Sequence, residues 1–107
     1  MRVISGSLKG RKINFFKNYT TRPLKDSVRE SIFNILEHSK FFKVKIKNSN
    51  ILDLYSGIGS FGIESLSRGA AKITFIEQDK KASEILERNL IVLSVFDRVK
   101  LINNKIE

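Results

Sequence analysis

The sequence predicts an α/β fold: a parallel βαβαβ unit preceded by a basic β-hairpin and a helix. Three observations carry this. An apolar run at Ile51, Leu52 and Leu54 turns through Gly57, Gly59 and Gly62 into a helical pattern that Gly69 closes. A second apolar run, Ile73-Thr74-Phe75-Ile76, ends at Glu77, 20 residues after Gly57. A third, Val99 to Ile102, follows another helical stretch. Strands that alternate with helices imply parallel pairing through right-handed crossovers.

The glycine turn is the centre of this reading. A strand that passes at once into a helix needs backbone angles that glycine adopts cheaply. The N–H groups at the helix start then face whatever lies on the turn. Glu77, at the tip of the second strand, has the position of a carboxylate that accepts hydrogen bonds from ribose hydroxyls. Asp53 lies four residues before Gly57. A pyrophosphate on the turn would be repelled by that acid, whereas an ammonium and a sulfonium would be attracted. The D-x-x-x-G-x-G spacing with a later acid therefore favours S-adenosylmethionine over NAD.

The remaining elements follow in order. Met1 to Phe16 reads as a short hairpin, with Val3 and Ile4 on one limb and Lys12 to Phe16 on the return. Arg2, Lys9, Arg11 and Lys12 crowd it. It is too small to stand alone, so it packs on the rest or orders on a partner. Lys17 to Lys25 is a linker, extended at Thr20 to Pro23. A helix starts at Asp26 or Ser27, with Ser27-x-x-Glu30 at capping-box spacing, and ends near His38 or Ser39. Val28, Ile32, Ile35 and Leu36 form its predicted apolar stripe, with Phe33 beside it. The alternation from Lys43 to Lys47 predicts a short strand or an extended connector. The first crossover helix spans Ser60 to Arg68. The second runs from Lys80 to about Leu93, with Asp79 as N-cap and Ala82, Ile85, Leu86 and Leu90 inward. Three parallel strands make half of a doubly wound sheet, so an edge of the third strand is left exposed or is completed by another chain.

Composition narrows the function classes. The 107 residues suffice for one small domain and include no cysteine, which excludes disulfides and thiolate metal sites. His38 is the single histidine, and it reads as a polar group at a helix C-terminus, not a catalyst or metal ligand. No apolar run has membrane-spanning length and no signal-peptide core is present, so a cytoplasmic setting is expected. The net charge is +9 and is unevenly placed. Residues 1–47 hold twelve Lys/Arg and three Asp/Glu; residues 48–107 hold eight of each. A basic arm (1–47) on a neutral core (48–107) points to a nucleic-acid partner.

The residues also carry a family resemblance, from the start to about Asn104. Its blocks are Arg2-Val3-Ile4-Ser5-Gly6 with Gly10-Arg11-Lys12, Thr21-Arg22-Pro23, Asp26 to Glu30 and Phe33 to Leu36. Then come Leu52 to Gly57 with Gly59, Gly62-Ile63-Glu64, Leu66 to Ala70, Phe75-Ile76-Glu77 and Asn89-Leu90. The chain resembles the amino-terminal part of the RsmD-type methyltransferases, which methylate guanine N2 in small-subunit 16S ribosomal RNA. Leu24 departs from the small polar residue usual in that family. The resemblance implies a Rossmann-like S-adenosylmethionine-dependent methyltransferase fold. It implies Asp53, Gly57 and Gly59 around the methionine end of the cofactor and Glu77 on the ribose. Thr21 and Arg22 would lie near the cofactor or the target base, and Arg2, Lys9, Arg11 and Lys12 would contact RNA.

In that family the chemistry lies on an Asn/Asp-Pro-Pro-Tyr/Phe loop after the fourth strand. Pro23 is the single proline here, so the loop is absent. The chain is therefore expected to be a truncated or split member, inactive alone; a split member would draw the missing half from a second polypeptide. Two readings compete: an RNA-binding module without catalysis, and an NAD-binding domain, against which Asp53 and the basic arm both argue.

Overall fold

The computed structural model describes residues 1–15, 26–39, 45–54 and 56–103. The elements are α1 (Asp26–His38), β1 (Asn50–Leu54), α2 (Ser60–Ser67), β2 (Lys72–Ile76), α3 (Lys80–Val92) and β3 (Val99–Ile102). A short 3-10 turn, Phe96–Arg98, leads into β3. The strands form one parallel sheet in the order β1-β2-β3, with Ile51 opposite Ile73 and Phe75 opposite Leu101. Both crossovers advance the same way across the sheet. Right-handedness then places α2 and α3 on one face.

That face holds the core. Ile73 and Phe75 of β2 are fully buried with Ile63 and Leu66 of α2 and Leu86 and Leu90 of α3. The approach of α2 is close because Gly62 has no side chain; a Cβ there would lie 2.1 Å from the Phe75 ring. The opposite face is thinly covered among the described residues, where Leu52 and Leu54 are 58% and 47% exposed. Among the described residues β3 is an edge strand, as expected, and so is β1.

The amino-terminal segment doubles back but forms no full strands. A single antiparallel bridge joins Arg2 and Lys12. Val3 N–H donates to Arg11 O at 2.9 Å and Ile13 N–H to Met1 O at 2.9 Å. Its stability comes from the core, which Val3 and Ile13 enter at 2% and 0% exposure. Gly6, at φ 92°, lies against the end of α2. Here Ser7 N–H donates to Ser67 O at 2.8 Å.

One expected detail is corrected and two are refined. The buried side of α1 is Arg29 and Phe33, while Val28 and Ile35 are exposed. Phe33 turns inward because it stacks on Phe61, with ring centroids 4.8 Å apart, beneath the Arg68 guanidinium. On α3 the inner side includes Asn89, fully buried beside Leu86 and Leu90, and Ile85 lies at the margin. The Lys43 to Lys47 alternation gives no strand in its described part, residues 45–47. Ile46 is buried there, and Asn48, at φ 64°, turns the chain into β1. The Asp79 N-cap is present, its carboxylate accepting from Ala82 N–H at 2.8 Å.

Gly6→Ala would place a Cβ 1.9 Å from Ser67 O, in a left-handed conformation. It should destabilise the chain by about 2 kcal/mol or more. Gly10→Ala, also left-handed but with nothing within 4 Å, should cost only about 1 kcal/mol. Urea denaturation of the two variants reads the difference.

Candidate cofactor site and basic arm

The site forms where β1 and β2 end side by side. Ser56 N–H donates to Ile76 O at 3.1 Å and Ser56 Oγ to Asp53 O at 2.7 Å, which binds the turn to both strands. Gly59 N–H closes the turn on Ser56 O at 2.9 Å. Gly57 and Gly59 have φ of 58° and 91°, as the strand-to-helix reversal demands. At Gly59 a Cβ would lie 2.2 Å from Leu86 of α3, so α3 packing also requires glycine there.

Two carboxylates meet at this turn, and their environments differ. Glu77 is 6% exposed and well supplied with donors. Its Oε1 accepts from Gly57 N–H at 2.7 Å and its Oε2 from Asp79 N–H at 2.8 Å. Its backbone is held by Ile102 O and by the Asn103 side chain. Asp53 is poorer in donors: its Oδ2 is buried with no hydrogen-bond partner among the described residues. Burial raises its pKa from 3.8 to about 6, the Gly62 N–H in the first turn of α2 works the other way, and the nearby Glu77 charge adds to the rise.

Four sequence-predicted residues, Asp53, Gly57, Gly59 and Glu77, thus come together. The Gly57–Glu77 hydrogen bond joins the first strand's turn to the second strand's tip. Thr21 and Arg22 lie outside the described residues. Arg2, Lys9, Arg11 and Lys12 are all exposed on the arm. The Arg2 guanidinium donates to Gly10 O at 2.7 Å and Arg11 to Val92 O at 3.2 Å, so two of the four also brace the arm.

Two residues that join the arm to the core were quoted in the family blocks but given no role from the sequence. Glu64 of α2 accepts from Ile4 N–H at 2.8 Å, Ser5 N–H at 3.0 Å and Arg68 Nε at 2.8 Å. Asn89 of α3 bonds both backbone groups of Asn14, at 2.9 and 3.0 Å, and donates to Ile58 O in the glycine turn at 3.2 Å. Signals existed. Arg68 stands four residues after Glu64, and Asn89 interrupts an apolar helix face.

The Asp53 pKa has a thermodynamic consequence. Between pH 3.8 and about 6 the folded chain keeps a proton that the unfolded chain has lost. Stability from this group is therefore present below that window and is lost as pH rises through it. Asp53→Asn removes the charge, so the variant should be more stable than the parent by about 1–3 kcal/mol at pH 7.5, and nearly equal at pH 4. Urea denaturation at the two pH values checks this.

The comparisons agree with the geometry. A family model described as Conserved hypothetical protein 95 matches residues 1–107. Ribosomal RNA small subunit methyltransferase D of Buchnera aphidicola is 42% identical over 95 residues, covering 89% of this chain and 47% of that protein. Its Escherichia coli K12 namesake is 39% identical over 93 residues, covering 87% and 44%. The solved structure of yhhF from Escherichia coli superposes with a TM-score of 0.80 at 34% identity, covering 98% of this chain and 52% of that one. The chain spans about half the length of these relatives. With its three-stranded portion of a Rossmann-like methyltransferase fold, it belongs to the Conserved hypothetical protein 95 family, the RsmD-type methyltransferases.

Proposed function

We propose that this chain forms the cofactor half-site and the RNA-contacting arm of an S-adenosylmethionine-dependent methyltransferase acting on guanine N2 of 16S ribosomal RNA. The observation that carries the reading is the buried Asp53 Oδ2, which has no partner among the described residues and sits beside a glycine turn. A buried carboxylate oxygen without a donor is costly unless a ligand supplies one. The ammonium of S-adenosylmethionine is such a donor, whereas a pyrophosphate would be repelled. Glu77 supports the same reading. It is held rigidly at the turn by Gly57 and Asp79, and each carboxylate oxygen has a second lone pair for a ribose hydroxyl.

In this reading Asp53 and the backbone at Gly57 and Gly59 hold the methionine end, and Glu77 orients the ribose. The cofactor supplies an electrophilic methyl group. Thr21 and Arg22 would line the base or cofactor side, and Arg2, Lys9, Arg11 and Lys12 would grip the phosphates. The transfer step needs a group that accepts hydrogen bonds from the exocyclic amine and aims its lone pair at the methyl carbon. No Pro-Pro loop occurs in the 107 residues, so the chain alone should not transfer methyl groups. Further strands, for which a second polypeptide is one source, would complete the site.

The charge asymmetry favours a second reading, a non-catalytic RNA-binding module. It predicts salt-sensitive RNA affinity that survives Glu77→Ala and falls when Arg11 and Lys12 are replaced.

Calorimetric titration with S-adenosylmethionine tests the leading reading. The parent chain should bind, and Asp53→Asn should weaken binding at least tenfold although it stabilises the fold. Parent affinity should also fall from pH 7.5 to pH 5, as Asp53 takes up a proton near 6. Equal affinity in Asp53→Asn, or tighter binding of NAD, would refute the assignment.

A further inference from the structure

The arm carries an aromatic ring that phosphate contacts do not employ. Phe15 is 49% exposed at the end of the hairpin's return limb. Its root is fixed. Ile13 is buried in the core, and both backbone hydrogen-bonding groups of Asn14 are taken by Asn89 at 2.9 and 3.0 Å. Asn89 is itself 1% exposed and also tied to Ile58 O. The ring therefore projects from backbone locked onto α3.

The surroundings give its electrostatics. Arg11 and Lys12 are exposed on the same limb, and Lys9 and Arg2 on the adjoining turn and limb. Where Arg11 meets Val92 O, a surface groove begins along α3, lined by Glu84, Glu87, Arg88, Ile91 and Val92. Its charges are mixed, so the cations of the arm are the stronger attraction for a polyanion. One exposed phenylalanine on a domain surface is ordinary. A ring on a fixed root, on the limb that also carries exposed Arg11 and Lys12, offers the two parts that single-stranded RNA binding uses: cations for phosphates and a π-face for a base.

We propose that Phe15 is a stacking platform for an unpaired base of the RNA that the arm grips. This rests on the RNA-contacting part of the proposed function and sharpens it. The nucleic acid at the arm is single-stranded or looped, because a base within a duplex has both faces covered by its neighbours.

The chain contains no tryptophan, so Phe15→Trp introduces a lone indole reporter. It would be titrated with a short single-stranded RNA of mixed sequence and with its perfect duplex, while fluorescence anisotropy of labelled RNA reports affinity. Indole fluorescence should be quenched by the single strand and little changed by the duplex. Phe15→Ala should lose about tenfold in single-strand affinity, change little towards the duplex, and melt at the parent temperature. Unquenched fluorescence despite binding, or full single-strand affinity in Phe15→Ala, would overturn the proposal. A marked fall in the melting temperature of Phe15→Ala, with quenching absent, would overturn it too and assign the ring to packing. If the parent chain binds neither RNA, the RNA reading itself fails and this inference falls with it.

Discussion

Glu64 is an acidic side chain with no exposed surface, and much of the architecture is the set of groups that make this tolerable. A buried carboxylate costs several kcal/mol unless its lone pairs are filled and its charge is balanced. The donors come from different parts of the chain. Ile4 and Ser5 supply backbone N–H groups from the arm, and Arg68 supplies its Nε from the end of the same helix. Arg29 of α1 adds a second buried cation, with its Nε 3.8 Å away. Arg29 in turn donates to Arg2 O and to Asp26, and Arg68 reaches Glu37 at 3.2 Å. One charge thereby fixes the hairpin, α1 and α2 relative to one another. Phe33 and Phe61 stack beneath the Arg68 guanidinium, so apolar packing and the ion network share one location.

The same physics separates the carboxylates at the glycine turn. Glu77 receives two backbone N–H groups and serves as a structural pin for the turn. Asp53 has a buried oxygen without a donor among the described residues and a raised pKa, so its environment disfavours the charged form that Glu77's donors favour. Asn89 connects this turn to the arm through neutral hydrogen bonds, and so needs no counter-charge. The glycine turn and the basic arm are consequently parts of one packed unit, with Val3, Ile13, Phe33 and Phe75 in a single hydrophobic cluster.

Much of this was legible in the sequence, because local rules determine it. The three strands, the helix that follows the glycine turn and the Asp79 cap follow from periodicity, glycine placement and capping chemistry. The meeting of Asp53, Gly57, Gly59 and Glu77 follows from parallel order, which puts the ends of β1 and β2 side by side. What could not be read depended on tertiary partners. On α1 the stripe at Val28 and Ile35 lost to Arg29 and Phe33, since neither Glu64 nor Phe61 is local to that helix. The hairpin was recognisable, but not its reduction to one bridge, because its anchors lie about 60 residues away at Glu64 and Ser67. Arg98 is a comparable case: from the turn before β3 it donates to Leu66 O and Ala70 O at the end of α2.

The Glu64 side chain holds the arm on the methyltransferase core. Amide hydrogen exchange at Ile4 and Ser5, in the parent chain and in Glu64→Gln, tests this most directly. Both amides should be protected in the parent. In the variant the glutamine keeps one acceptor oxygen for two N–H donors, so protection should be lost at Ile4 or Ser5, together with a stability loss of about 3 kcal/mol or more as Arg29 and Arg68 are left without their shared counter-ion. Unchanged protection at Ile4 and Ser5, with unchanged stability, would contradict it.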